Sequence, residues 1–425
     1  MRVEQEDFKV IQDDWKILTS EEGMALVEAH LDEYPERLAL SLRNPTVTRQ
    51  VRMLQRCREK LPSFYAARCV VPQVPYEQSS SEATARVRVS QLCDELPPEA
   101  RRLAVDLTCG LGVDAWALSR GFERVVAVEI DAERAEMARW NMQRLGAENV
   151  EVVCRSAEEF VAGYGDGRPI DVVYVDPSRK REDGRRVYSL EESTPNMVEL
   201  MPALQRVARR VVVKLSPLFD VAEVRRVFGE EVRVEVVSLE GECKEVVAAV
   251  GFGKGVRVTV IRRGEVRHFD FEWNAVGSNA QPKGNIDAES TEAWPYVLAP
   301  DVAFVKGRVV EAYVEQVLVR EVSGLRWTMC GEYVLASAIP TGFAGTAYRI
   351  LSVHPYQPKV LKRQLREQGV RRINLHRRGF PYSAEQIARS LGVALGGATE
   401  VVCAVVGGAP MVMVVERLWN TTGSI

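Results

Sequence analysis

Over residues 20–68 the apolar positions recur at helical spacing, as at Met24, Leu26, Val27 and Leu31, and no strand-like alternation interrupts them. This predicts a small helical domain. Pro62, Pro72, Pro75 and Ser79-Ser80-Ser81 break the pattern and mark a boundary, after which a helix is predicted at about 81–94. From about 102 short β-branched runs alternate with helical stretches: Leu103 to Leu107, a helix over 113–120, Val125 to Ile130, a helix over 132–145, Val150 to Cys154, Val172 to Val175 and Val211 to Val213. Alternation of this kind is the signature of a doubly wound parallel sheet. Three more strands are predicted at about 232–238, 244–251 and 256–262, the last two joined at Phe252-Gly253-Lys254-Gly255 and read as an antiparallel hairpin.

Residues 275–293 are polar, contain glycine and lack periodicity, so they read as a linker. A second α/β region follows. Its predicted strands are Trp327 to Cys330, Tyr348 to Leu351, Arg372 to Leu375, Glu400 to Val405 and Met411 to Val415, with helices near 302–318, 358–367 and 383–391. Ser383 with Gln386 three residues on has the form of a capping box at the start of the last helix.

Composition narrows the classes. No apolar run reaches 18 residues, which excludes a helical membrane span, and Met1 to Trp15 is too polar for a signal peptide. The eight cysteines form no C-x-x-C pair, so reduced thiols in a cytoplasmic protein are expected, without a disulfide framework, structural zinc or another metal. With a formal net charge of −3, any attraction to phosphate has to come from local patches.

The strongest chemical signal is Val105-Asp106-Leu107-Thr108-Cys109-Gly110-Leu111-Gly112-Val113-Asp114, which joins a strand to a helix. Gly110 and Gly112 remove two side chains where an extended cofactor would cross the carboxyl ends of the strands. Glu129 ends the next apolar run nineteen positions after Gly110, where its carboxylate can accept both hydroxyls of a ribose. Gly110-x-Gly112-x-x-Ala115 also fits a dinucleotide fingerprint, which keeps an NAD(P)-dependent oxidoreductase as a second reading. Asp106 weighs against it, because an acid at the strand tip repels a pyrophosphate and attracts a cofactor carrying sulfonium and ammonium groups. The third piece, Asp171-Val172-Val173-Tyr174-Val175-Asp176-Pro177-Ser178-Arg179-Lys180, ends the fourth strand.

Together these three stretches resemble motifs of class I S-adenosylmethionine-dependent methyltransferases over about residues 80–262. The resemblance implies a Rossmann-like α/β sheet with an antiparallel terminal hairpin and S-adenosyl-L-methionine as cofactor. It implies cofactor contacts from Asp106, Thr108, Gly110, Gly112, Asp114, Glu129, Ile130 and Ser156. Asp176, with Pro177, Ser178 and Arg179, would lie beside the transferred methyl. The aromatic residue that amino-methylating members carry three places after the acid is replaced here by Arg179, which leaves the acceptor atom unassigned.

The region beyond the linker resembles a ferredoxin-like module followed by a THUMP-like domain. The implied layout is a helical N-terminal domain (1–75), a methyltransferase domain (76–274), a linker (275–293), a ferredoxin-like module (294–344) and a THUMP-like domain (345–425). THUMP domains proper bind structured RNA, so the resemblance implies methylation of an RNA base. Two basic stretches, 179–186 and 362–378, suit phosphate contacts. The denser one holds Lys362, Arg363, Arg366, Arg371, Arg372, His376, Arg377 and Arg378 against one acid, Glu367. A nonenzymatic RNA-binding protein on a remnant methyltransferase fold is the other alternative, and oligomeric state is not readable.

Overall fold

Between 103 and 215 the predicted strands form at the predicted places, because each is a short β-branched run long enough for one buried parallel strand. The computed structural model describes residues 11–34, 37–38, 42, 44–165, 167–178, 190–277 and 294–418. The chain forms two compact units. The first is Met1–Phe219 with Val224–Val232 and Val247–Gly253; the second is Asp220–Glu223, Arg233–Val246 and Lys254–Ile425.

The first unit begins with helices α1 (Ile11–Thr19), α2 (Glu21–His30), α3 (Pro45–Lys60), α4 (Pro62–Ala66), α5 (Gln73–Gln78) and α6 (Glu82–Glu95). Asn44 caps α3 by accepting from the amides of Thr46 and Val47 at 3.1 and 3.2 Å, with Pro45 in the first turn. Val47, Val51, Leu54 and Cys57, three or four residues apart, are the buried stripe of that helix. Buried amide side chains then fasten the segment after α4. Gln50 donates to Cys69 O at 2.7 Å and accepts from Val71 N at 3.2 Å. Asn141 accepts from Val70 N at 2.9 Å and donates to Val70 O at 3.0 Å. Asn141 lies on α8 (Ala132–Arg144), so the helical segment and the sheet domain share one continuous core.

The sheet of this unit contains β1 (Leu103–Asp106), β2 (Arg124–Glu129), β3 (Val150–Cys154), β4 (Val172–Val175) and β5 (Val211–Leu215) in the order β3-β2-β1-β4-β5. Their pairings are parallel. The connecting helices include α7 (Val113–Leu118), α8, α9 (Ala157–Ala162) and α10 (Met197–Val207). Strand order reverses between β1 and β4, which opens a crevice at their carboxyl ends, where doubly wound sheets bind ligands. Asp171 fixes the opposite end by accepting from the amides of Arg102 and Leu103 at 3.1 Å each. Helix α11 (Val221–Phe228) and strand β7 (Glu242–Val250) are both cut by the division, and β7 follows β5 in the order.

In the second unit the order runs β7-β6-β8-β9, with β6 (Arg233–Leu239), β8 (Gly255–Arg262) and β9 (Glu265–Phe271). The expected hairpin between the strands at 244–251 and 256–262 is corrected here. Those strands are not neighbours: β8 pairs in parallel with β6 and antiparallel with β9. The tight connections are Glu240-Gly241 and Arg263-Gly264, both with positive φ at each residue, the two-residue geometry that matches strand twist. Phe252 to Lys254 is a crossing segment instead. An antiparallel hairpin therefore does end the sheet, one strand later than expected.

Strands β10 (Tyr296–Pro300), β11 (Trp327–Cys330), β12 (Tyr333–Ala336), β13 (Gly345–Pro355), β14 (Arg372–Arg377), β15 (Ala394–Leu395), β16 (Thr399–Val406) and β17 (Ala409–Arg417) form a second sheet. Its order is β11-β12-β10-β13-β17-β16-β14-β15. This unit includes helices α12 (Val302–Lys306), α13 (Val310–Tyr313), α14 (Pro358–Glu367) and α15 (Ala384–Leu391). Ser383 and Gln386 make the expected capping box on α15. Leu361 and Leu365 bury one face of α14 against Ile387, Leu391 and Val401. Phe304 and Tyr313 stack with ring centres 3.9 Å apart and meet Phe269 edge-on.

Candidate active site

At the tip of β1 the chain turns under tight backbone control. Leu107 N donates to Tyr174 O, Cys109 N to Val128 O and Gly112 N to Cys109 O, at 2.8–2.9 Å. Gly110 has φ +53° and Gly112 φ +89°, the left-handed region that favours glycine. A side chain at Gly112 would also strike Met142 Cε at 2.6 Å, whereas at Gly110 nothing but Thr108 O comes within 4 Å. Gly110 thus leaves open space over the turn.

Two carboxylates flank that space. Glu129, at the tip of β2, accepts from Gly110 N at 2.8 Å and from Asp131 N at 3.1 Å. Ile130 beside it is 65% exposed, an uncovered apolar side chain at a strand tip. Asp106 is fully buried; its Oδ1 accepts from Thr108 N at 3.0 Å, while Oδ2 has no hydrogen-bond partner among the described residues. Burial, and then the charges of Asp114, Asp176 and Glu129, push the Asp106 carboxyl well above the ordinary carboxylate range. A buried carboxylate without a partner is costly, and a cation placed beside it would offset that cost.

On the other side of the crevice Asp176 N, just past β4, donates to Thr108 Oγ1 at 2.7 Å. Its carboxylate accepts from Lys214 Nζ at 2.6 Å. Lys214 also donates to Ser80 Oγ at 3.0 Å, and Ser80 donates to Asp114 at 2.8 Å. Arg88 of α6 closes the chain as an ion pair with Asp114. Burial acts to raise the Asp114 carboxyl, but the Arg88 and Lys214 charges and the Ser80 hydroxyl outweigh it and hold it below the usual range. Lys60, at the end of α3, donates to Tyr76 O and lies 4.6 Å from the centre of the Tyr76 ring. Burial, and then the charge of Lys214, lower its amine to about 8. Ser178 pairs with Thr194 through two backbone hydrogen bonds of 2.7 and 3.0 Å.

The structure brings together Asp106, Thr108, Gly110, Gly112, Asp114, Glu129 and Asp176. Asp114 faces Ser80 and Arg88 rather than Glu129. Ser156 is engaged as the cap of α9, its hydroxyl accepting from Glu159 N at 3.1 Å. Arg179 and the rest of the basic stretch 179–186 lie outside the described residues. Sequence reasoning missed Lys214 and Arg88. The signal was there: Lys214 follows Val211-Val212-Val213 inside a buried strand, and Arg88 is buried in a helix, and charges at such places need partners. Ser80 falls in Glu77 to Thr84, a stretch just before the domain that reads equally as a cover over the cofactor and as a linker.

In the second unit the basic stretch divides by role. Lys359, Lys362, Arg363 and Arg366 of α14 are exposed. Arg372 donates to the carbonyls of Leu395 and Gly396, Arg378 to Pro300 O, and His376 is paired with Glu400.

Residues 345–417 match a family model described as THUMP domain-like, and residues 84–196 match one described as Conserved hypothetical protein 95. An uncharacterized S-adenosylmethionine-dependent methyltransferase of Mycobacterium tuberculosis is 29% identical over 259 residues, 60% of this chain. The match spans 64% of the length of that relative. A tRNA/tmRNA (uracil-C(5))-methyltransferase of Photorhabdus laumondii is 26% identical over 145 residues, covering 31% of this chain and 37% of its own. Among solved structures, a protein of Porphyromonas gingivalis W83 provisionally described as a methyltransferase superposes with a TM-score of 0.73 at 22% identity, covering 95% of this chain and 98% of its own, and so shares the fold. By motifs and these matches the chain is similar to class I S-adenosylmethionine-dependent methyltransferases, and its residues 345–417 are similar to THUMP-like domains.

Proposed function

We propose that this protein is an enzyme that transfers a methyl group from S-adenosyl-L-methionine to a base in RNA. The observation that carries the reading is the buried Asp106 carboxylate, with one oxygen unpartnered among the described residues, beside the open backbone at Gly110 and the carboxylate of Glu129. These residues fit the cofactor. Asp106 would face its ammonium group, Glu129 would accept from its ribose hydroxyls, and the exposed face of Ile130 would cover its adenine. The same acids would repel a dinucleotide's pyrophosphate. When bound, the cofactor supplies an electrophilic methyl on a positively charged sulfur. The protein's own part is to hold the acceptor in line and to receive its proton, a role for Asp176.

RNA as the acceptor is supported by the THUMP-like match, by the tRNA/tmRNA methyltransferase similarity and by the exposed cations of α14. In this reading the methyltransferase domain is 76–274, the THUMP-like domain is 345–425, and the protein works in the cytoplasm. Calorimetric titration with S-adenosylmethionine, S-adenosylhomocysteine and nicotinamide dinucleotides tests the first step, and labelled methyl transfer to total cellular RNA tests the second. Binding of the first pair alone, followed by label in RNA, is the expected result; binding of the dinucleotides would replace the reading with the oxidoreductase one.

Two further outcomes are expected. Glu129→Ala should weaken S-adenosylmethionine binding by about 1–3 kcal/mol through lost charged hydrogen bonds and a loosened Gly110 amide. Unchanged affinity in the folded variant would remove Glu129 from the site. Replacing Lys359, Lys362, Arg363 and Arg366 together by Gln should weaken RNA binding and flatten its dependence on salt, measured by filter binding between low and moderate ionic strength. Arg372 and Arg378 are kept in that variant because backbone carbonyls hold them. An unaltered salt slope would take α14 out of the RNA surface.

A further inference from the structure

Resting on the proposed methyl transfer, we infer that Lys214 is a positioning residue for Asp176, and that Ser80, from the segment before the sheet domain, ties that pair to the cofactor loop. Six side chains from separate parts of the chain make the assembly. Thr108 accepts from the Asp176 amide, Lys214 donates to the Asp176 carboxylate and to Ser80, Ser80 donates to Asp114, and Asp114 pairs with Arg88. Donor and acceptor roles close without conflict. The Ser80 hydroxyl gives its one proton to Asp114 and accepts from the ammonium, and Lys214 uses two of its protons.

Electrostatics explains why an ammonium sits there. Asp106 from β1, Asp114 from α7 and Asp176 from the end of β4 face one another closely enough for the charges of the other two to act on Asp106. Against them stand Lys214 from β5 and Arg88 from α6, the latter paired with Asp114, and the charges of Lys214 and of Lys60 from α3 act on each other. Removing Lys214 would take away the cation 2.6 Å from the Asp176 carboxylate, which favours its protonated form and weakens it as a proton acceptor. The ammonium thus keeps Asp176 ionised and aimed, while Ser80 fixes the ammonium relative to the helix that follows Gly112.

Lys214→Met and Lys214→Arg test this. In Lys214→Met, S-adenosylmethionine affinity by calorimetry should stay within about threefold, and KM for the RNA pool likewise. The rate of methyl transfer should fall by about 100-fold, the scale of a lost proton acceptor. The acid limb of the pH–rate profile should move up by about one unit or more. Lys214→Arg should return the limb to its wild-type position. A limb left in place, or a rate loss below about threefold, would overturn the assignment; so would an equal loss of cofactor affinity, which would make Lys214 part of the cofactor site. A second measurement needs no turnover. Acetylation by N-hydroxysuccinimidyl acetate, mapped by mass spectrometry, should be slow at Lys214 relative to the exposed Lys362 and should rise about tenfold or more in Asp176→Asn, as the ammonium loses its charged partner. Equal reactivity with and without Asp176 would overturn the pairing itself. Wild-type protein that binds cofactor but labels no RNA would defeat the proposed function, and the positioning role with it, while the acetylation result would still report on the Lys214 contacts.

Discussion

Asp106→Asn is expected to raise the melting temperature of the cofactor-free protein while lowering S-adenosylmethionine affinity by about 100-fold or more. Both effects come from one buried carboxyl. Its folded-state affinity for a proton is raised above the ordinary value of 3.8, so the folded state holds a proton that the unfolded state releases. The sign follows. The cost of burying this group is absent below about 3.8 and grows as pH rises above it, so wild-type stability falls with pH over that range. Asn carries no charge and keeps the Oδ1 bond to Thr108 N, but its amide nitrogen is left where Oδ2 now lies, which costs about 1–3 kcal/mol. Against the cost of keeping this carboxyl protonated, about 1.4 kcal/mol for each pH unit above 3.8, the net gain is about 2 kcal/mol near neutral pH, a shift of a few degrees in Tm. Calorimetric scanning at pH 5 and pH 8 checks it: the gain should be larger at pH 8. A variant that loses stability and keeps cofactor affinity would mean that Asp106 serves the fold and not the cofactor.

The elements that carry this prediction were legible in the sequence because local chemistry decides them. Asp106, Gly110, Gly112 and Glu129 sit at strand tips set by β-branched runs, and the runs fix the tips whatever the rest of the chain does. The order of the later strands was not legible. Phe252-Gly253-Lys254-Gly255 has the composition of a turn, yet β8 crosses to pair with β6, because β7 has already taken the place beside β5. Strand pairing at such a point depends on which edge is open, and no local pattern records that. Strands β10 and β12 were missed for another reason: Tyr296–Pro300 and Tyr333–Ala336 are too short to show a period. The contacts of Asp176 were out of reach for the same kind of reason as the strand order. Lys214 lies 38 residues away and Ser80 lies 134 residues from Lys214, and only the folded chain brings them together.

The partner of this network that bears most on stability is Arg88, and Arg88→Met is expected to destabilise the protein by about 3 kcal/mol at pH 7, the low end for breaking a buried ion pair. The side chains of Arg88 and Asp114 are 7% and 12% exposed, so water can replace little of what is lost. Lys214 and the Ser80 hydroxyl continue to support Asp114, which keeps the loss from being greater. The Arg88 guanidinium also lies over the Tyr174 ring, 4.8 Å from its centre, so the measured loss includes this cation–π contact beside the ion pair. In the wild type the Asp114 carboxyl lies below its ordinary 3.8, so its contribution is fully present above that value and is lost as pH falls through the lowered one. In Arg88→Met burial dominates instead, and protonating Asp114 relieves the variant. The gap between the two proteins should therefore narrow as the pH is lowered from 7 toward 4, and Arg88→Met with Asp114→Asn should recover at least half of it at pH 7. Urea unfolding of the three proteins at both pH values decides the matter. A gap below about 1 kcal/mol at pH 7, on the scale of an exposed pair, would show that the pair is effectively solvated and that Asp114 is held by Lys214 and Ser80 alone.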